Sequence, residues 1–309
     1  MSETPIQTRL WREEAEEGDP FTAAAAYCHG YDVYGDMLGQ ARWVDMLHLL
    51  LRGEAPTPKQ ARFLDALAVA LANAGPRDPM IHAAMCGGTG GSTAASTLMA
   101  ALAVGAGHLG GGREVMLAMT RWQECGTDLT AWETKLGNPP AGPATSWPDP
   151  EHQPGFAPNG AVTGTPVKQT LACLAALASG PELPWLAERR EKLEAAAGLP
   201  LSMSGVAAAA YIELGLSPAQ GEMLHLLLRL PGAAAHALEQ RELGHKKFPF
   251  YANDLQLDIV EPIDRASFLE LAELLTRYGL DRRCLRPLAE AQDDPWFRGT
   301  SQLLVRFCS

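Results

Sequence analysis

Apolar positions recur with a period near 3.6 in one segment after another, which predicts a body built of helices. Trp43, Val44, Met46, Leu47, Leu50 and Leu51 share one face, and Arg52-Gly53 closes that helix with a basic last turn and a glycine beyond it. Pro56-Thr57-Pro58 opens the next, where Phe63, Leu64, Leu67 and Leu71 keep the period. Gly75-Pro76 ends it, because proline lacks an N–H and restricts the residue before it. Asp78-Pro79 restarts a short helix over 81–86, and after Gly87-Gly88-Thr89-Gly90-Gly91 either Ser92 or Thr93 can cap a helix through Val104. Further helices are predicted over 114–124, 127–137, 167–179, 183–197, 203–214 and 218–240. Residues 1–20 are polar and read as a loose arm, and 27–37 as a turn or short hairpin. Residues 255–260 read as a short strand ahead of an amphipathic helix over 268–278.

Two breaks interrupt this pattern. Residues 105–114, Gly-Ala-Gly-His-Leu-Gly-Gly-Gly-Arg-Glu, hold five glycines in ten positions between two Ala-rich helical runs. Such a turn lets backbone approach backbone or ligand closely and can present bare N–H groups and His108 to a bound molecule; it can equally be only a tight link between packed helices. Residues 137–166 are dense in Pro and Gly, the mark of a long ordered loop or a domain junction.

Composition adds limits. The chain has 309 residues, 47% hydrophobic and 20% charged, which fits a globular protein able to bury a large core. A formal net charge of -11 argues against a nucleic-acid partner. No apolar run reaches the roughly 20 residues that span a bilayer, and the acidic stretch Glu13-Glu14-Ala15-Glu16-Glu17 is unlike a signal peptide, so neither membrane nor export is expected and the cytoplasm is. Six cysteines without a Cys-x-x-Cys pair suggest buried free thiols, with no disulfide frame and no metal site.

The order of motifs to about Tyr251 resembles that of the citrate synthase superfamily, nearest its short citryl-CoA lyase-like members. Gly30-Tyr31-Asp32-Val33 with Leu50-Leu51-Arg52-Gly53-Glu54-Ala55-Pro56-Thr57 resembles the family's opening. Gly107-His108-Leu109-Gly110-Gly111-Gly112-Arg113-Glu114 is similar to its "H-G-G-A-x-E" turn, Pro154-Gly155-Phe156 to its "P-G-F-G-H" loop, and the run from Leu228-Arg229 to Ala235-His236 to its "A-R-x-x-G-x-x-A-H" helix. The resemblance implies an all-α fold with a large helical domain (21–137 and 218–309), a small helical domain (138–217) that closes over coenzyme A, an N-terminal arm (1–20), and an obligate dimer, in which a homologous chain could be the partner subunit.

It also implies carbon–carbon bond formation or cleavage between a CoA thioester and a carboxylated, 2-oxo acid-type partner. That chemistry needs a base, polarising donors and carboxylate clamps. The sequence departs from the family at the first two. Ser204 stands where the family aspartate falls, Pro158 and Ala74 where two histidines fall, and Leu109 in the best-aligned place of a third, with His108 one residue early. Arg229, matching a carboxylate-gripping arginine, is kept. Candidate groups are therefore His108 and Ser204 for catalysis, Arg229, Gly110 and Gly111 for the substrate, and Lys168, Lys246 and Lys247 for coenzyme A. Glu114, Asp149, Glu151, His152 and the 31–36 segment are possible replacement bases. On residue type alone Arg229 could be a structural ion pair, His236 a packing histidine and the lysines merely solvated. Two functions stay open: an enzyme with a non-standard acid–base set, or a non-catalytic relative that binds an acyl-CoA or a carboxylate, or pairs with an active homologue.

Overall fold

The computed structural model describes residues 8–137 and 152–249. The chain divides into two units, Met1–Phe248 and Pro249–Ser309, and all the described strands and helices lie in the first. The strand and helix expected over 255–260 and 268–278, and the candidate bases Asp149 and Glu151, lie outside the described residues.

The chain opens on strands, β1 (Trp11–Glu16), β2 (Asp19–Cys28) and β3 (Tyr31–Asp32), in an antiparallel sheet of order β1-β2-β3. Ten α-helices follow among the described residues: α1 (Trp43–Arg52), α2 (Pro58–Leu71), α3 (Pro79–Thr89), α4 (Ala94–Gly105), α5 (Gly112–Cys125), α6 (Leu129–Gly137), α7 (Thr165–Leu177), α8 (Glu182–Ala197), α9 (Met203–Glu213) and α10 (Pro218–Leu243). The molecule is mostly helical, but the sheet corrects the all-α expectation, and β1 with the start of β2 puts strand at 11–16 and 19–20, in place of the loose arm expected there. Gly18, at φ 81°, turns β1 back onto β2. The cross-strand partners Arg12 and Tyr27 stack, with the guanidinium 4.2 Å from the ring centroid.

Helix starts are set by short polar capping residues. Thr57, Asp78, Thr93, Ser202 and Ser217 each accept a backbone N–H of the first turn through their side chains. α3 runs longer than the 81–86 expected, because Gly87 and Gly88 stay helical where the helix packs tightly: a Cβ on Gly88 would lie 2.2 Å from the Ala237 carbonyl oxygen of α10. The four described cysteines are free thiols, yet only Cys28 and Cys125 are buried; Cys86 and Cys173 are exposed, against the expectation of buried thiols.

α9 is the innermost helix. Every residue from Ser204 to Tyr211 is buried, and Val206 to Tyr211 have no exposed surface. A helix apolar on all sides must be surrounded, and its four consecutive alanines let α5, α7, α8 and α10 come close. Its N-terminus meets the loop at 153–157, where Phe156 and Leu201 form an isolated antiparallel bridge and Ala157 N donates to Pro200 O at 2.8 Å. The contact admits no side chain. A Cβ on Gly205 would sit 2.3 Å from the Gly155 oxygen.

Gly205→Ala should therefore cost about 2–3 kcal/mol or more through overpacking against backbone that cannot move aside. Denaturant unfolding of the variant checks this; a midpoint within a few tenths of a kcal/mol of the parent would show that the loop can yield.

Candidate active site

The glycine-rich turn, the N-terminus of α9, the 154–159 loop, the 73–79 link and the middle of α10 enclose one cavity of about 490 Å³. Its lining includes Asn73, Ala74, Asp78, Leu109, Gly110, Glu114, Phe156, Pro158, Ser202, Ser204, His225 and Arg229.

Glu114, in the first turn of α5 and only 2% exposed, organises the wall. A buried carboxylate is tolerated only when donors surround it. Oε1 accepts from Ser204 Oγ at 2.5 Å and from Gly155 N at 3.0 Å, and Oε2 accepts from Gly110 N at 2.5 Å. The ring of His152 stands 3.5 Å from Oε2. Behind Ser204, Ser202 Oγ lies at 2.6 Å. Since the Ser204 hydroxyl donates to Glu114, Ser202 donates to Ser204, giving an ordered run of two hydroxyls ending on a carboxylate. Gln153 steadies the loop, taking Arg121 on its oxygen and donating to Leu136 O at 3.1 Å.

Arg229, 4% exposed in the middle of α10, forms the second node. Nη2 pairs with Asp78 Oδ2, and Nη1 donates to Gly110 O at 3.0 Å. Asp78 serves two elements at once, because its Oδ1 also caps α3 through Met80 N and Ile81 N. Among the described residues Arg229 is the one Lys or Arg that lines the cavity. Beside it, His225 sets Nδ1 3.3 Å from the Tyr211 hydroxyl, and its Nε2 is buried without a hydrogen bond. Burial first, then the Arg229 charge, push this imidazole down to about 3, against an opposing pull from the Gly110 backbone, so it is neutral across the physiological range. Burial raises the Tyr211 phenol, which keeps its proton.

Solved structures share this architecture. Citryl-CoA lyase from Hydrogenobacter thermophilus superposes at a TM-score of 0.62 and 20% identity, over 85% of this chain and 98% of that one. ATP citrate lyase from Methanothrix soehngenii, solved with citrate and coenzyme A, matches at 0.59 and 18%, over 78% of this chain and 41% of that one. The chain has the citrate synthase fold. Citrate synthase from Thermoplasma acidophilum, in a ternary complex with carboxymethyl coenzyme A and oxaloacetate, matches at 0.53 and 17%, over 73% and 58% of the two chains. No family model matches the sequence, and no curated protein matches it.

Within this citrate synthase fold Ala74, Leu109, Pro158, Ser204 and Arg229 all face the same cavity, with Gly110. His108 is exposed and lies outside the lining, where its neighbour Leu109 takes the place at the wall. Gly111 is buried in the turn, too close to the Gly105 and Gly107 oxygens for any side chain. Lys168, Lys246 and Lys247 are exposed and line no part of the cavity. His236 bonds Asn73 Oδ1 at 3.1 Å through Nε2. Sequence reading missed Asp78 as a partner of Arg229 and missed His225 altogether. The one signal for His225 was its place four residues before Arg229, one helical turn away.

His225 makes stability depend on pH. The unfolded chain takes up its proton near the ordinary 6.5, whereas the folded chain refuses it until about 3. Its contribution is complete above 6.5 and is lost as pH falls, with a slope approaching about 1 kcal/mol per pH unit below 6. Unfolding free energies between pH 7 and 5 check this: His225→Phe should flatten the slope, and an unchanged slope would show that the histidine titrates freely.

Proposed function

We propose that this chain makes or cleaves a carbon–carbon bond next to the carbonyl of a CoA thioester, with Ser204 and Glu114 supplying the acid–base function. The observation that carries this is the hydroxyl of Ser204, held on a buried carboxylate in the cavity wall. A serine alone is too weak a base, but with Glu114 behind it the relay balances. Ser204 Oγ takes the α-proton as its own proton passes to Glu114, leaving the carbon as an enolate. In the reverse direction the same proton returns to carbon after cleavage.

The solved structures of this fold are consistent with a thioester and an acid as ligands, since they include complexes with coenzyme A, citrate, (3S)-citryl-CoA and oxaloacetate. Under this reading Lys168, Lys246 and Lys247 meet the phosphates of coenzyme A, 138–217 acts as the domain that closes over it, and Gly110 and Gly111 shape the acyl slot. His108 is at most a contact at the rim. For the second substrate the resemblance implies a 2-oxo acid gripped by Arg229, although Asp78 already holds that guanidinium. A second reading, a non-catalytic relative that binds acyl-CoA or partners an active homologue, is favoured by Ala74, Leu109 and Pro158, which bring no acid or base to the wall.

A dimer goes with either reading. Met99 and Val104 on α4 and Met223, Leu227 and Leu238 on α10 are exposed, and large apolar side chains in such numbers on neighbouring helices suit a subunit contact. Analytical ultracentrifugation should show a dimer at micromolar concentration that Met99→Glu weakens at least tenfold; a monomeric parent would remove the assembly from the proposal.

Coenzyme A should raise the melting temperature, and acetyl-CoA incubated with the protein in D2O should exchange its methyl protons. Glu114→Gln and Ser204→Ala should each slow exchange by about 100-fold or more, the typical worth of a positioned general base. Stabilisation without exchange, with acetyl-CoA or longer acyl-CoA esters, would select the non-catalytic reading. No response to any CoA ester would dismiss both.

A further inference from the structure

We infer that the second ligand of this cavity is an uncharged carbonyl compound and not a carboxylate; the identity of the first, a CoA thioester, rests on the function proposed above, whereas the preference at the second does not.

The inference starts from the Arg229 and Asp78 pair. Their side chains are 5% and 14% exposed, so the pair is closed off from water. A carboxylate ligand would have to displace Asp78 from the guanidinium, yet Asp78 is anchored independently through its cap on α3. If Asp78 stayed, the incoming anion would enter a wall whose one Lys or Arg among the described residues is already neutralised and which also carries Glu114. An uncompensated charge in a buried site is costly, so the site discriminates against anions through its own internal carboxylate.

His225 supplies the complementary feature. The protonated Tyr211 phenol has His225 Nδ1 as its partner, and donation from the phenol leaves the imidazole proton on Nε2. That N–H is buried and makes no hydrogen bond of good geometry, with the Gly110 backbone, whose carbonyl already accepts from Arg229, as its weak partner. The ring lines the cavity, with Nδ1 turned to the core. A buried donor so weakly satisfied is destabilising, and a carbonyl oxygen relieves it without bringing charge. A neutral imidazole is a suitable partner for a neutral carbonyl. Ala74, Leu109, Pro158 and Met203 offer apolar surface for the carbon chain beyond it.

The test compares 2-hexanone with 2-oxohexanoate, which carry the same ketone and differ by one carboxylate, with oxaloacetate and citrate alongside, by ligand-observed NMR on the full chain. The parent should bind 2-hexanone at least tenfold more tightly than 2-oxohexanoate and show no binding of oxaloacetate or citrate. Asp78→Asn keeps the helix cap but frees Arg229, and it should strengthen 2-oxohexanoate at least tenfold. Should it fail to fold, Asp78→Ser, also a capping residue, makes the same comparison. His225→Phe should weaken 2-hexanone at least fivefold. The inference is overturned if neither ketone binds, if 2-oxohexanoate binds the parent as tightly as 2-hexanone, if both cap-preserving variants keep the parent's preference, or if His225→Phe leaves 2-hexanone unaffected. Coenzyme A is titrated separately. The ketone preference without coenzyme A binding would remove the thioester reading and leave this one standing.

Discussion

The carboxylate of Glu114 is the constraint on which the rest of the site depends. It enters the interior on the first turn of α5, and a buried anion there requires several donors in fixed places. Those donors come from three segments far apart in sequence: Gly110 in the turn before α5, Gly155 in the loop before α7 and Ser204 at the head of α9. Satisfying one side chain therefore sets the position of three walls of the cavity. Removing it would take the acceptor from two N–H groups and a buried hydroxyl at once, which is why the charge is better read as a tie between segments than as an isolated interaction.

Gly110 couples this tie to the second one. Its N–H goes to Glu114 and its C=O to Arg229, in a residue at φ 67° that a branched side chain could hardly adopt. The same peptide segment thus links an anion on α5 to a cation on α10, and through Asp78 to the start of α3. The glycine-rich turn is more than a connection between helices, and it sets Leu109 rather than His108 at the cavity wall. Its function is to let backbone serve as the hydrogen-bonding group between two charged side chains, while the close contact of Gly155 with Gly205 does the same for the loop against α9.

Local signals were legible in the sequence and long-range ones were not. Caps such as Thr57, Ser217 and Asp78 act within three residues, so the helices they begin lie close to their expected positions. The hairpin over 11–28 escaped because its turn is a single unremarkable Glu-Gly and its second strand holds a run of alanines with no alternation to read. Ala74, Leu109, Pro158, Ser204 and Arg229 could be brought together only by resemblance to a family. Nothing in their spacing over 155 positions relates them. Asp78 was hidden by a sufficient local explanation: it reads as a helix cap, and it is one, so its second oxygen drew no attention. His225 was hidden by company, since a lone histidine in a run of leucines reads as core.

The proposed relay and the tie use the same carboxylate, and this has a mechanical consequence. If Glu114 accepts the Ser204 proton during turnover, the protonated acid is a poorer acceptor for the backbone N–H groups of Gly110 and Gly155. The turn and the loop are then held least firmly in the one state in which a carbon–carbon bond is being made or broken. Gly110 still accepts from Arg229, so the turn keeps its link to α10 while its link to α5 weakens. Loosening falls on the 153–157 loop, which retains its backbone bridge to 200–202 and its Gln153 anchor. Acid–base chemistry at such a residue cannot be separated from the order of the wall around it. Under the proposed chemistry, a structural carboxylate serves as a base only because enough other contacts hold that wall in place while its charge is gone.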